Sequence, residues 1–396
     1  MLVQQDYRSE RFVPDKEMDA CGIFGVMHTG GVRFGGRMAI DAIKNMKVRG
    51  SGLGGGFAIY GLYPDYKDYY ALHIIYQNKN MAAKKETEAF LKKYFYVVFD
   101  EEIPTNPDIR LFAPPLAWRY FVAPQKSKGE ENLSDDEYVI SKVMYLNTHI
   151  EDAYVLSSGK DVGVFKGVGF PEEIADYFML DQLYQGYIWT VHSRFPTNTP
   201  GWWGGAHPLS ILDWTVVHNG EISSYGTNRR FLEMHNYYCT LYTDTEVLAY
   251  AVDLLMRRQG LPIEVVAKIF APPMWDAIRH MDKDERELYT TLRMIYAPLL
   301  MNGPFTVIIA HHNEMIGLTD RIRLRPLTAG VKGDFVFLSS EEAAIRVVCP
   351  DLELVFTPNG GEPVVVRLHT KEHLRSLNKS IRGGFYVFLL ITRIYH

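Results

Sequence analysis

The chain has 396 residues and a formal net charge of −5, with 47% hydrophobic and 22% charged residues, which is typical of a globular protein. The charge argues against general nucleic-acid binding, which needs a clustered basic face. No segment approaches the ~20 apolar residues that cross a bilayer, and residues 1–20 lack the apolar centre of a secretory signal. We therefore expect a cytoplasmic protein with no nucleic-acid or membrane partner.

The three cysteines, Cys21, Cys239 and Cys349, lie far apart in the sequence. This spacing excludes a disulfide framework and a C-x-x-C metal site, and it agrees with a reducing cytoplasm. The pair His311-His312 has no carboxylate at ligand spacing in the sequence. We interpret this pair as structural, and we assign no metal or cofactor to this chain.

Three predicted elements follow Cys21: a strand over residues 23–27, a helix over residues 37–48 and a strand over residues 57–60. Between the helix and the second strand, residues 50–55 match the pattern G-x-G-x-x-G. A dinucleotide-binding loop needs a strand before it and a helix after it, whereas the order here is the reverse. We therefore predict a helix end with close backbone packing.

Residues 63–181 are predicted to be mixed α/β and to contain an insertion, with a helix over residues 82–93 and a solvated loop over residues 126–136. Further along, Thr243 to Glu246 match the T-x-x-E capping box and predict a helix to about Arg257. A short helix is predicted over residues 341–348. The remaining predicted strands cover residues 186–194, 214–218, 305–310, 315–319, 335–338 and 364–368. This order favours an α+β fold with antiparallel sheets between helix layers.

Four segments carry candidate chemistry, and they occur in a fixed order. They are C-G-I-F-G from Cys21, H-S-R-F-P-T-N-T from His192, H-N-G-E from His218 and Y-T-D-T-E-V from Tyr242. A cysteine before a strand is by itself usually a small buried hydrophobic residue. Together, however, the four segments resemble the class II, N-terminal-nucleophile glutamine amidotransferases, and most of all the amidotransferase portion of glutamate synthase.

The resemblance covers about residues 21–60 and 186–370, and it implies a four-layer αββα sandwich of two antiparallel sheets. It also implies a domain organisation: residues 1–20 would be a propeptide, residues 21–370 the amidotransferase domain, and residues 371–396 a C-terminal tail. That tail ends in an apolar run with basic flanks, for which docking on a partner is one explanation and a divergent end another.

Cys21 is the expected nucleophile for hydrolysis of the glutamine side-chain amide. A thiol with a pKa near 8.5 is only partly ionised at neutral pH, so it needs a base. A free α-amino group has a pKa of about 7.7–8 and suits that task. If residues 1–20 are removed, Cys21 carries both nucleophile and base, which explains why no conventional triad is visible in the sequence.

Four more residues complete the expected site. The resemblance assigns Asn219 and Gly220 to an oxyanion hole, although Asn-Gly is also typical of a type I′ turn, and the two roles are compatible. It assigns Arg194 to the substrate α-carboxylate and Asp244 to the α-ammonium. The alternatives are a surface arginine and an acid favoured in the first turn of a helix. Such a clamp would select a free amino acid.

Thr197 is a further expected substrate-binding residue, and the loop 198–203 is expected to cover the pocket. Trp202-Trp203 could equally form a docking surface. Hexosamine-type members have Thr-His where this chain has Thr197-Asn198, which favours the glutamate-synthase-like branch.

The expected acceptor of the ammonia lies on another polypeptide, because this chain has no phosphate-binding loop in the right context and too few cysteines for a cluster. We therefore expect FMN and an iron–sulphur cluster on a synthase partner subunit. The alternatives are an amidotransferase of the phosphoribosyl or hexosamine type, a non-catalytic subunit that senses glutamine, and an N-terminal-nucleophile hydrolase of another amide.

Overall fold

The structure is a computed structural model that describes residues 21–196 and 200–369. Within these residues, the strands form three sheets in which every pair of neighbouring strands is antiparallel. Two of the sheets form the sandwich that contains Cys21. None of the helices in this part of the chain is long and apolar enough to span a membrane.

The first sheet of the sandwich has seven strands. They are β1 (Gly22–His28), β2 (Gly55–Tyr60), β7 (Val162–Gly167), β8 (Ile188–Ser193), β13 (Thr328–Lys332), β14 (Phe335–Ser339) and β15 (Leu354–Phe356). Their spatial order is β15-β13-β14-β1-β8-β2-β7. Because β1 is the central strand, Cys21 stands at the end of the strand that has neighbours on both sides.

The second sheet has five strands: β9 (Leu209–Ile211), β10 (Trp214–Gly220), β11 (Phe305–His311), β12 (Glu314–Thr319) and β16 (Val364–Arg367). Their spatial order is β16-β12-β11-β10-β9. Between the two sheets, fully buried apolar side chains form one core cluster, in which Ile23 and Met27 from β1 pack with Val217 and Ile308. Burial of this apolar area holds the two sheets together.

Helices cover both outer faces of the sandwich. On the seven-stranded side lie α1 (Arg37–Asn45), α4 (Pro171–Tyr177), α5 (Leu180–Leu183) and α11 (Glu342–Val348). On the five-stranded side α7 (Thr245–Val252) packs on β9 and β10, and α6 (Tyr225–Glu233), α8 (Ile263–Phe270), α9 (Trp275–Arg279) and α10 (Lys283–Ile295) extend that layer. The predicted αββα layers are therefore confirmed, whereas α8, α9 and α10 were not predicted.

A third sheet was not predicted from the sequence. Its strands are β3 (Tyr70–Tyr76), β4 (Phe95–Glu102), β5 (Leu116–Pro124) and β6 (Ala153–Ser157), in the order β4-β5-β3-β6, with helices α2 (Met81–Tyr94) and α3 (Asp135–His149). Every residue of β3 is buried, so this strand lacks the alternation that marks a half-exposed strand. All six elements fall within residues 63–181, and their description as an insertion stays a prediction.

Two local predictions near the site have different outcomes. The glycine-rich segment 50–55 lies after a helical turn and runs into β2, which confirms the predicted order. The capping box at Thr243 is wrong, because α7 begins at Thr245 and the Glu246 carboxylate does not cap it. That carboxylate instead accepts hydrogen bonds from the N–H groups of Thr240 (3.0 Å) and Leu241 (2.8 Å) in the preceding loop.

Candidate active site

Cys21 is held at the end of β1 by contacts from two other segments. Its Sγ accepts a hydrogen bond from the N–H of Phe195 at 3.2 Å. Its carbonyl oxygen accepts one from Arg49 Nε at 3.0 Å, and the same guanidinium forms an ion pair with Glu341 at 2.7 Å. The thiol is therefore fixed relative to the loop after β8, and Arg49 is a positioning residue that the sequence analysis did not identify.

The environment of the Cys21 thiol does not favour spontaneous ionisation. Burial raises the pKa of the thiol above its ordinary value, and the Phe195 N–H and the positive charge of Arg194 oppose that rise only in part. A thiol in this state needs a base to become an effective nucleophile. The structure thus agrees with the chemical requirement on which the α-amino prediction depends.

Gly220 ends β10 in a conformation that requires glycine. Its φ is +136°, in a region that other residues rarely adopt. A Cβ atom at this position would lie 1.9 Å from the carbonyl oxygen of Pro304. The close approach of these two backbones places Gly220 in the wall of the same pocket as Cys21.

Asn219 lies directly behind this wall and is fully buried. Its Nδ2 donates to Ser340 Oγ at 3.2 Å, and the same Oγ accepts a hydrogen bond from the N–H of Ile23 at 3.3 Å. Among the described residues, Asn219 Oδ1 has no hydrogen-bond partner. Asn219 is thus tied to β1 through Ser340, two residues beyond Cys21.

Arg194 and Asp244 approach the pocket from different elements. Arg194 directly follows β8 and is only 3% exposed, and its Nη1 donates to the carbonyl oxygen of Pro200 at 3.2 Å. Asp244 precedes α7, and its Oδ2 accepts a hydrogen bond from the N–H of Ile222 at 2.8 Å. Burial opposes ionisation of Asp244, yet His218 and the Ile222 N–H hold the pKa of this carboxyl below its usual value. A cationic and an anionic group therefore line one cavity.

The cavity has a volume of about 620 Å³, which is in the range of small-molecule sites. Its lining includes Cys21, Arg194, Phe195, His207, His218, Gly220, Ile222, Tyr225, Arg229, Tyr242, Thr243 and Asp244. Four of the six predicted site residues are thus brought together, whereas Asn219 lies behind the lining. Thr197 lies outside the described residues, so its predicted role stays a prediction.

A buried group of histidines under the pocket was missed as a structural unit. His207 lies 3.1 Å from His192 between ring nitrogens, and one ring nitrogen of His192 lies 3.0 Å from the carbonyl oxygen of His218. Burial lowers the pKa of both His192 and His207 well below the usual value, so both are neutral. They form a rigid polar floor that adds no charge to the pocket, and the sequence signalled only His192 and His218 through their motifs.

Lys166 is a second buried group that the sequence did not signal. Its ammonium donates to the carbonyl oxygens of Gly204 (2.9 Å) and Pro208 (3.1 Å), and so holds the segment that carries His207. Burial lowers the pKa of Lys166 to about 7, opposed by the charge of Glu246. Trp203 in the same segment is also buried, with its indole N–H on the carbonyl oxygen of Phe112. Trp203 is therefore not available as a docking surface.

Comparison with known proteins places this site in a family. A family model described as glutamine amidotransferases class-II matches residues 65–371. A protein of Archaeoglobus fulgidus described as an uncharacterized protein is 67% identical over 366 residues, which are 92% of this chain and 97% of that protein.

Two further relatives are more distant. The glutamate synthase (NADPH) large chain of Bacillus subtilis is 27% identical over 54% of this chain. A putative glutamine amidotransferase of Methanothermobacter thermautotrophicus is 28% identical over 52% of this chain. The matched residues make up only 15% of the synthase chain and 59% of the second protein.

Proposed function

Because this chain belongs to the class II glutamine amidotransferases, we propose that it hydrolyses L-glutamine to L-glutamate and ammonia through a thioester on Cys21. One observation carries the proposal: Cys21, Arg194 and Asp244, from three different elements, line a single cavity together with Gly220. A buried thiol beside one cation and one anion suits a substrate that is a free amino acid with an amide in its side chain.

Binding would use the two charged groups. The guanidinium of Arg194 would pair with the α-carboxylate of glutamine, since arginine favours planar contacts with carboxylates. The ionised carboxylate of Asp244, already oriented by the Ile222 N–H, would accept the α-ammonium. A peptide-bound glutamine lacks both charges, so this clamp would select the free amino acid.

In the chemical steps, removal of residues 1–20 would give Cys21 a free α-amino group. This amine takes the thiol proton while Sγ attacks the amide carbon of the substrate. The backbone N–H of Gly220 and one N–H of Asn219 Nδ2 would stabilise the negative charge on the tetrahedral oxygen. The protonated amine then gives its proton to the departing ammonia, and water cleaves the thioester with the amine again as base.

We further propose that the ammonia is used by a synthase-like partner subunit. In the described residues, Cys21, Cys239 and Cys349 are unpaired, and Cys239 and Cys349 pack against different core clusters. These thiols do not come together as an iron–sulphur site. The FMN and cluster of a glutamate-synthase-like reaction would therefore belong to the partner.

A glutaminase assay on two cysteine variants tests the catalytic proposal. Cys21→Ser is expected to lower kcat by at least about 10³-fold, because loss of a nucleophile removes most of the rate. Cys349→Ser, another buried thiol but remote from the cavity, serves as the matched control and should retain the parental kcat. Activity that survives in Cys21→Ser would overturn the proposed nucleophile, and a folded parent that binds glutamine without turnover would instead indicate a sensing subunit.

A further inference from the structure

Two hairpins bring three metal-ligating side chains together at the end of the sandwich opposite the cavity. Asp213 lies in the turn between β9 and β10, whereas His311 and His312 begin the turn between β11 and β12. Thr215 pairs with Ala310, so continuation of that register places Asp213 across from His312. A ligand atom from each of the three residues lies within 4.8 Å of the other two.

The two histidines present their rings on the same side of the turn. Their ring centroids are 3.9 Å apart, and the ring of His311 also packs on Trp214 at 4.2 Å. His312 Nδ1 lies 3.8 Å from Asp213 Oδ2. Ligand atoms around a tetrahedral zinc ion, at ~2.0 Å from the metal, are roughly 3.3 Å apart. Small side-chain rotations would therefore complete the coordination geometry.

Hydrogen bonds from neighbouring segments orient the ligands. The N–H of Lys160 donates to Asp213 Oδ1 at 2.6 Å, which leaves Oδ2 directed toward His312. The side-chain oxygen of Asn313 lies 3.0 Å from His311 Nδ1, so Nδ1 carries the proton and Nε2 has the lone pair that a metal needs. Metal-binding imidazoles and carboxylates are commonly oriented in this way.

The backbone around the three residues is also fixed. The hydroxyl of Tyr60 donates to the carbonyl oxygen of Asp213 at 2.8 Å, and that of Tyr187 to the carbonyl oxygen of His312 at 2.8 Å. The side chains of Asp213 and His312 are 26% and 51% exposed. An ion can therefore enter from solvent, and water can complete its coordination.

We propose that Asp213, His311 and His312 bind a divalent transition-metal ion of the zinc type that joins the two hairpins. Two imidazoles and one carboxylate are a donor set typical of such ions. Strand β10 has seven residues, so at ~3.4 Å per residue the site is roughly 20 Å from Gly220. At that distance the ion would be structural, and it would stabilise the folded state rather than take part in hydrolysis.

Titration calorimetry of the full chain with Zn²⁺, after removal of metals with a chelator, tests this proposal. We expect one saturable site per chain, with a dissociation constant at least about tenfold higher in Asp213→Asn and in His312→Ala. Asp213→Asn keeps the oxygen that accepts from Lys160. The exposed His280, which is outside the cluster, provides the control variant His280→Ala, and its binding should equal that of the parent. Absence of saturable binding, or equal binding in all variants, would overturn the proposal.

Co²⁺ as a second probe separates this site from the thiols without any substitution. Bound Co²⁺ is expected to show visible ligand-field absorption without the charge-transfer band of a cobalt–thiolate bond, and the same spectrum should appear in Cys21→Ser. A thiolate band that disappears in Cys21→Ser would place the metal in the glutamine cavity and overturn the assignment.

Discussion

The two ends of the sandwich differ in how their polar residues are encoded. At one end, Cys21, Arg194 and Gly220 each belong to a short segment with several recognisable residues. At the other end, Asp213 and the pair His311-His312 stand in two hairpin turns with no such pattern, and only the pairing of β10 with β11 brings them together. A reactive centre thus leaves a signal in the sequence around each of its residues, whereas a site built across hairpins does not.

The largest effect on activity, after loss of the nucleophile, is expected at Asn219. Asn219→Ala should lower kcat by about 10²–10³-fold, the usual cost of one oxyanion donor, with little change in the glutamine KM. Steady-state glutaminase kinetics provide the measurement. Asn147→Ala is the control, since Asn147 is also buried but its side chain supports the remote strand β6 through the Val155 N–H.

Asn219 could instead act only by supporting β1 through Ser340. In that case Asn219→Ala would lower the free energy of unfolding while kcat stayed within a few-fold of the parent. That outcome would remove Asn219 from the oxyanion hole.

The next effect compares one aspartate at each end. Asp244 and Asp161 both accept a backbone N–H, from Ile222 at 2.8 Å and from Tyr63 at 2.6 Å, and an asparagine keeps that oxygen. Asp244→Asn should raise the glutamine KM by about 10- to 100-fold, because a charge-assisted contact is lost. Asp161→Asn, beside β7 at the far end, should leave KM unchanged. Equal KM values in the two variants would remove Asp244 from the substrate clamp.

The smallest of the three effects concerns stability and uses two glycines. Gly220→Ala introduces a Cβ against Pro304 at a φ of +136°, and should lower the free energy of unfolding by at least about 2 kcal/mol. Gly226→Ala in α6 meets no atom within 4 Å and should be neutral or stabilising by up to about 1 kcal/mol. Denaturant unfolding measures both, and a neutral Gly220→Ala would contradict the close backbone approach at the cavity wall.

Much of the sandwich could be predicted from the sequence because its strands and turns are punctuated. The strand after Cys21, the helix that ends near Gly50 and the strand before Asn219 all lie where they were predicted. The third sheet could not be predicted, because β3 is buried along its whole length and β4 follows α2 with no glycine or proline between them. Neither feature gives a periodic signal or a boundary.

The site was predictable to the extent that its residues lie in motifs. Arg49 and Lys166 act through a carbonyl of Cys21 and through carbonyls of the 204–208 segment. Such contacts depend on which backbone segments meet in three dimensions. Sequence spacing cannot reveal them, which is also why Asp213 could not be joined to His311 in advance.

The intact mass of the purified protein, before and after exposure to a glutamine-mimicking electrophile, tests the central claim most directly. The account predicts a chain that begins at Cys21 and gains one adduct, which excess glutamine prevents. A full-length mass without a glutamine-protected adduct would contradict it, because neither the proposed base nor the proposed nucleophile would then be available.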